Sequence, residues 1–151
     1  AYVSNITFRR LTFNGTSTSI RIKTWQGGHG LVKNITYEDI VMIKAGLPIY
    51  ITQYYCPGSQ HSGQCKNMTG VVKIAGVTIR NVSGTHAGVY AGQFLCSDTA
   101  RSCEGIVLEN VHLIADRANV PSSSNRFICW KAHGEATNVM PTPCLTASSD
   151  L

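Results

Sequence analysis

Arg21 and Lys23 lie two residues apart between isoleucines in the stretch SIRIKTWQGGHG, residues 19–30. In an extended strand, residues i and i+2 point the same way. With Ile20 and Ile22 directed inward, both cations project outward, about 7 Å apart along the strand. A planar guanidinium and a compact ammonium on one ledge can each meet a carboxylate. A polymer with one carboxylate per sugar fits such a ledge. Tyr55 follows the equivalent strand one repeat later and can stack on a sugar ring or hydrogen-bond to it. An arbitrary Arg-x-Lys pair is ordinarily a solvated strand face, so the reading depends on its setting.

That setting is an internal repeat. Four segments align: Asn5-ITFRRL, Asn34-ITYEDI, Gly76-VTIRNV and Gly105-IVLENV. Each is apolar at its second, fourth and seventh positions, and the intervals between them are 29, 42 and 29 residues. A second element, Ile20-RIK, Ile49-YIT and Ala91-GQF, follows fifteen residues after each of the first three anchors. The even alternation is that of strands, and Asn, Gly, Thr and Ser fill the turns. Strands recurring every few tens of residues predict a solenoid, here an all-β right-handed parallel β-helix with stacked ladders of Ile, Val, Leu and Phe. A β-sandwich also has short alternating strands, but would not repeat one heptapeptide at nearly equal intervals. The 42-residue interval accommodates an insertion, Pro57 to Gln64, between Cys56 and Cys65.

The repeat carries a second expectation. The chain opens inside a repeat, without the polar cap that solenoids need. The apolar pattern stops after Ile114, and the remaining sequence is irregular. The expected organisation is therefore coils over about 1–114 and a C-terminal cap over about 115–151. Together they form the C-terminal part of one longer β-helix domain.

Composition narrows the class. Charged residues are only 14% against 43% hydrophobic, which excludes a disordered chain or a polar helical bundle. The net charge of +5 suits an anionic partner. The basic residues are scattered and no nucleic-acid motif occurs, so nucleic acid is not the expected partner. No apolar run is long enough to span a membrane. Six cysteines, without a CxxC, allow fifteen pairings, and short loops favour the local one: Cys56–Cys65, Cys96–Cys103 and Cys129–Cys144. His61 lies between the first pair; a disulfide-tied surface loop is favoured there over a Cys-His-Cys metal site, and no metal or cofactor is expected. Sequons begin at Asn5, Asn14, Asn34, Asn67 and Asn81. With the paired cysteines they point to a secreted, extracellular or cell-wall protein, glycosylated at some of these sites.

RIKTWQGG, VKNITYEDIVM and Gln53-Tyr54-Tyr55-Cys56 together resemble the C-terminal part of polygalacturonases, glycoside hydrolase family 28. The resemblance continues through KNMTGVVKIAGVTIRNVSGT and CEGIVLENVHL to the last cysteine pair. It implies a β-helix enzyme that hydrolyses α-1,4-galacturonan in pectin with inversion and without a metal. It also implies that Arg21 and Lys23 bind substrate, and that Tyr55, or its neighbour Tyr54, lies in the cleft. A monomer is expected for the whole protein. Rhamnogalacturonan or xylogalacturonan hydrolysis is an alternative on the same fold, and non-catalytic binding of an anionic polysaccharide is another.

Inverting hydrolysis needs a carboxylic acid to protonate the leaving oxygen and a carboxylate to activate water. The family draws these from an Asn-Thr-Asp motif and an Asp-Asp pair, and neither occurs here. The one adjacent acidic pair, Glu38-Asp39, lies away from the ledge and reads as a solvated face or turn. The family's Gly-His-Gly motif precedes RIK, whereas GHG at residues 28–30 follows it, so His29 reads as a turn residue. No catalytic residue is assigned within these 151 residues, and hydrolysis by them alone is not expected.

Overall fold

The computed structural model describes residues 1–56, 65, 68–116 and 125–147. The insertion 57–64, with His61, and the sequon at Asn67 lie outside them. Nine strands follow in order: β1 (Tyr2–Asn14), β2 (Thr18–Trp25), β3 (Gly30–Ala45), β4 (Leu47–Tyr55), β5 (Val72–His86), β6 (Tyr90–Leu95), β7 (Cys103–Ala115), β8 (Arg126–Trp130) and β9 (Gly134–Met140). They form two parallel sheets, β1-β3-β5-β7-β9 and β2-β4-β6-β8. Each strand pairs with its counterpart one coil away, which makes the fold a parallel β-helix; a right-handed coil is the crossover sense that twisted strands favour.

The heptapeptide repeat is the ladder of the first sheet. Ile6, Ile35, Val77 and Ile106 stack in register, as do Phe8, Tyr37, Ile79 and Leu108, and Leu11, Ile40, Val82 and Val111. From β3 to β7 these positions are buried. Each fully buried aliphatic chain contributes about 1.5–3 kcal/mol of transfer free energy. At the edge strand β1 the same positions have a neighbour on one side only. Ile6 is 37% exposed where Ile35, one coil on, is 3% exposed.

The repeat's polar letters have a backbone cause. Its first position is left-handed at Asn5, Asn34, Gly76 and Gly105, with φ between 53° and 77°. Its sixth is left-handed at Arg10, Asp39, Asn81 and Asn110, with φ between 52° and 57°. Asn, Asp and Gly tolerate that region best, because short polar side chains bond locally and glycine has no Cβ. The bends stack as strictly as the strands do. Asn34 Nδ2 donates to Asn5 Oδ1 at 2.6 Å. Along the other bend, Asn81, Asn110 and Asn138 each donate through Nδ2 to the residue one coil earlier, from Asp39 onward. The sequon asparagines 5, 34 and 81 thus sit at structural bends, while Asn14 lies exposed at the end of β1.

Two details depart from the sequence reading. In the second sheet Ile20 and Ile49 stack on Gly92, one residue later than the fifteen-residue spacing gives. Strand pairing also does not cease near residue 114. β8 extends the second sheet and β9 the first, so the coils reach Met140. The pattern is hidden in β9 because Gly134, Ala136 and Val139 take the places of Ile106, Leu108 and Val111. Gly134 is required there: a Cβ on it would stand 1.8 Å from the Ile106 carbonyl oxygen. Residues beyond Met140 fold back, with Thr146 bridging to His133 and Cys144 bonded to Cys129. All three local disulfides are present.

A buried amide ties the second sheet to the turns beside it. Gln53 is 1% exposed. Its Nε2 donates to the carbonyls of Val72 and Ser102, both at 2.9 Å. Its Oε1 accepts from Ser97 N at 2.7 Å and from Ser102 Oγ at 3.2 Å. Gln53→Leu strips partners from these four groups in a dry site. The expected loss is about 2–4 kcal/mol in urea unfolding, against under about 0.5 kcal/mol if the network is dispensable. Gly134→Ala is expected to cost about 2 kcal/mol or more through its backbone clash. Gly15→Ala, with φ +67° but nothing within 4 Å, is expected to cost about 1–2 kcal/mol. Equal losses at the two glycines would show that close approach is not what constrains residue 134.

Candidate polysaccharide-binding site

Ile20 and Ile22 of β2 are buried, so Arg21 and Lys23 emerge on the outer face of the second sheet, both exposed. The ladder sets their neighbours. Arg21 stacks on Tyr50 and Lys23 on Thr52. The Arg21 guanidinium lies 5.6 Å from the centre of the Tyr50 ring. Tyr50 was not singled out from the sequence. The signal was present, since aligning Ile49-YIT under Ile20-RIK puts Tyr50 beneath Arg21.

Tyr55 reaches the ledge through a bulge. Lys23 pairs with Thr52 but Trp25 pairs with Tyr55, so three steps on β4 oppose two on β2. The extra residue breaks the alternation: Gln53 stays buried while Tyr54 and Tyr55 are both half-exposed. Bulges re-aim side chains in this way. The Lys23 ammonium rests over the Tyr55 ring, 4.2 Å from its centre. Cation–π contacts at exposed sites are worth about 0.5–1 kcal/mol, enough to bias the ammonium without neutralising it. Tyr54 turns instead to a hollow of about 280 Å³, lined also by Gln26, Gln53, Met68 and Thr69. Gln53 thus anchors the bulge that presents both tyrosines.

Glu38, Asp39 and Glu104 are occupied elsewhere. Glu38 binds Arg80, with Nε at 2.8 Å, and lies 3.8 Å from Arg9. This partnership raises the Arg80 pKa above its ordinary value. Asp39 stands at a left-handed bend and accepts from Asn81. Glu104 bonds Lys73 at 2.9 Å, which holds its carboxyl below the ordinary range. These acids are members of ion pairs and bend ladders on the first sheet. His29 lies exposed in the connection between β2 and β3. Among the described residues no group of three His, Cys, Asp or Glu side chains stands close enough to hold a metal. No helix among them is long and apolar enough to cross a membrane.

The arrangement offers two cations backed by aromatic rings on a flat, twisted sheet. It can hold an anionic, ring-bearing ligand. Comparison with known proteins gives that surface a lineage. The family model for glycosyl hydrolases family 28 matches residues 1–133. A polygalacturonase of Juniperus ashei is 42% identical over 132 residues, covering 87% of this chain and 24% of the relative. One of Chamaecyparis obtusa is 45% identical over 113 residues, covering 75% and 21%. Polygalacturonase-2 of Solanum lycopersicum is 36% identical over 142 residues, covering 93% and 29%. The chain spans about a quarter of the length of these relatives. The β-helix, the ladder repeat and the match along most of the chain agree, and the chain belongs to glycosyl hydrolases family 28.

Proposed function

We propose that this chain supplies the substrate-binding side of a polygalacturonase active site. Its ligand is the α-1,4-galacturonan of pectin. The carrying observation is the pair of exposed cations Arg21 and Lys23 on one outer face, backed by Tyr50 and Tyr55. The guanidinium takes a uronate carboxylate in a bidentate, planar fashion, and the ammonium adds a charge that can follow the sugar. Tyr55 contributes a ring face and a hydroxyl at the same edge. Binding the carboxylate fixes the sugar, and fixed geometry lowers the barrier for whatever acid and base flank the glycosidic bond.

The acid and base belong, in this reading, to coils that stack on β1, whose open ladder positions would receive them. Inversion would then proceed with the two carboxyl groups set apart to admit water. The three disulfides and the sequons support a secretory route to the cell wall or extracellular space. Because the family's Asn-Thr-Asp and Asp-Asp motifs do not occur in the 151 residues, these alone bind and do not cleave in this reading.

The test uses the full-length protein. Arg21→Gln and Lys23→Gln are each expected to lower kcat/KM on polygalacturonate by about 10–100-fold, at unchanged thermal stability. Methyl-esterification removes the carboxylate charge, so the wild type should prefer the de-esterified polymer and the variants should lose that preference. Unchanged preference in both variants would remove the ledge from substrate recognition. The isolated 151-residue chain is expected to release no reducing ends from polygalacturonate, and robust turnover by it would overturn the division of labour. A rhamnogalacturonan or xylogalacturonan hydrolase would show its higher kcat/KM on those polymers instead. A non-catalytic protein would bind polygalacturonate at full length without cleaving it.

A further inference from the structure

We propose a second carboxylate-binding site for the same acidic polymer, built from Arg101, Lys131 and His133 two to three strands along the stack from Lys23. It rests on the reading of Arg21 and Lys23 as a uronate ledge and extends that ledge. The sheet itself links the two. Lys23, Thr52, Leu95 and Trp130 stack in register on β2, β4, β6 and β8. Three strand spacings put Trp130 about 14 Å from Lys23. Along β8 the outward positions are Arg126, Ile128 and Trp130, and Trp130 is 51% exposed. Lys131 follows at a left-handed bend, its ammonium 5.6 Å from the centre of the Trp130 ring. Arg126 lies 5.5 Å from the Tyr90 ring centre. The far edge of the sheet thus repeats the cation-on-ring design of the near edge.

Beside this edge the surface is concave. A hollow of about 240 Å³ is lined by Asp98, Arg101, Lys131 and His133, among others. It adjoins the 280 Å³ hollow lined by Tyr54 across the shared residues Ser97, Asp98 and Thr99. Its charge is positive on balance. Among the described residues Lys131 has no carboxylate within 4 Å, and Arg101 meets Glu104 only through Nε, at 3.4 Å. Asp98, the one acid in the lining, suits a sugar hydroxyl. His133 is oriented for a similar task. Its Nδ1 shares a hydrogen bond of 2.8 Å with the Thr146 hydroxyl, which fixes the ring. Cations for carboxylates, an acid and an imidazole for hydroxyls, and the exposed indole next to Lys131 match a chain of uronate sugars.

The experiment compares polygalacturonate with the shortest oligogalacturonate that the full-length protein cleaves. Arg101→Gln/Lys131→Gln and, separately, Trp130→Ala should raise KM for the polymer about five- to tenfold, with kcat unchanged. KM for the shortest oligomer, which does not reach the second site, should not move. Lys33→Gln/Lys44→Gln, an equal charge change on the first sheet, should do nothing. If the protein binds without cleaving, the same comparison is read as Kd by calorimetry. An unchanged polymer KM, or an equal rise for both lengths, overturns the second site; Arg21→Gln still acting in that case would leave the ledge standing. Loss of neither activity nor binding in any variant, Arg21→Gln included, would overturn both.

Discussion

Every feature of this molecule depends on one constraint: each strand hydrogen-bonds, in parallel and in register, to its own counterpart one coil away. The stack holds neighbours about 4.8 Å apart. A residue's closest lateral neighbour is therefore the residue at the same place in the next coil. Isoleucine meets isoleucine inside, asparagine meets asparagine at the bends, and cation meets aromatic ring outside. A polar group at a bend satisfies its neighbour, so the donor of one coil becomes the acceptor's partner in the next. An interruption has a local and visible effect. The single extra residue on β4 shifts the register by one and puts two tyrosines at the rim.

That constraint explains how much could be read without coordinates. The heptapeptide is legible because its apolar places face a continuous core and its first and sixth places need left-handed backbone. Only a few residue types serve at each. The outward direction of Arg21 and Lys23 follows from the buried isoleucines beside them. Three things were not legible. β9 escaped because close approach of Gly134 to the Ile106 carbonyl replaces the apolar letter with the smallest one. Gly92 escaped because a bulge beside Tyr90 displaces the count by one. Gln53 escaped because a lone glutamine carries no pattern, and its four partners come from β5 and from a turn more than forty residues away.

The proposed binding surface divides between what the sheet fixes and what the turns adapt. The sheet sets the spacing of cations and rings, and strand geometry makes that spacing rigid. Residues 68–70 and 97–102 line the hollows, and there the disulfide Cys96–Cys103 and the Gln53 network supply the order that a ladder does not. A short disulfide-closed loop contributes about 2–4 kcal/mol, comparable to the buried amide network. Rigid presentation matters for a polyanion, because the entropy of ordering flexible lysines and arginines would otherwise offset the charge attraction.

The central claim is that the outer face of the β2-β4-β6-β8 sheet binds a polyuronate. The most direct measurement is the backbone amide chemical-shift map of the protein titrated with a short oligogalacturonate. Shifts concentrated on residues 21–25, 50–55 and the turn at 97–99, weakening as salt is added, are predicted. Shifts concentrated on the β1-β3-β5-β7-β9 sheet, or an equal response to a neutral oligosaccharide of the same length, would contradict it.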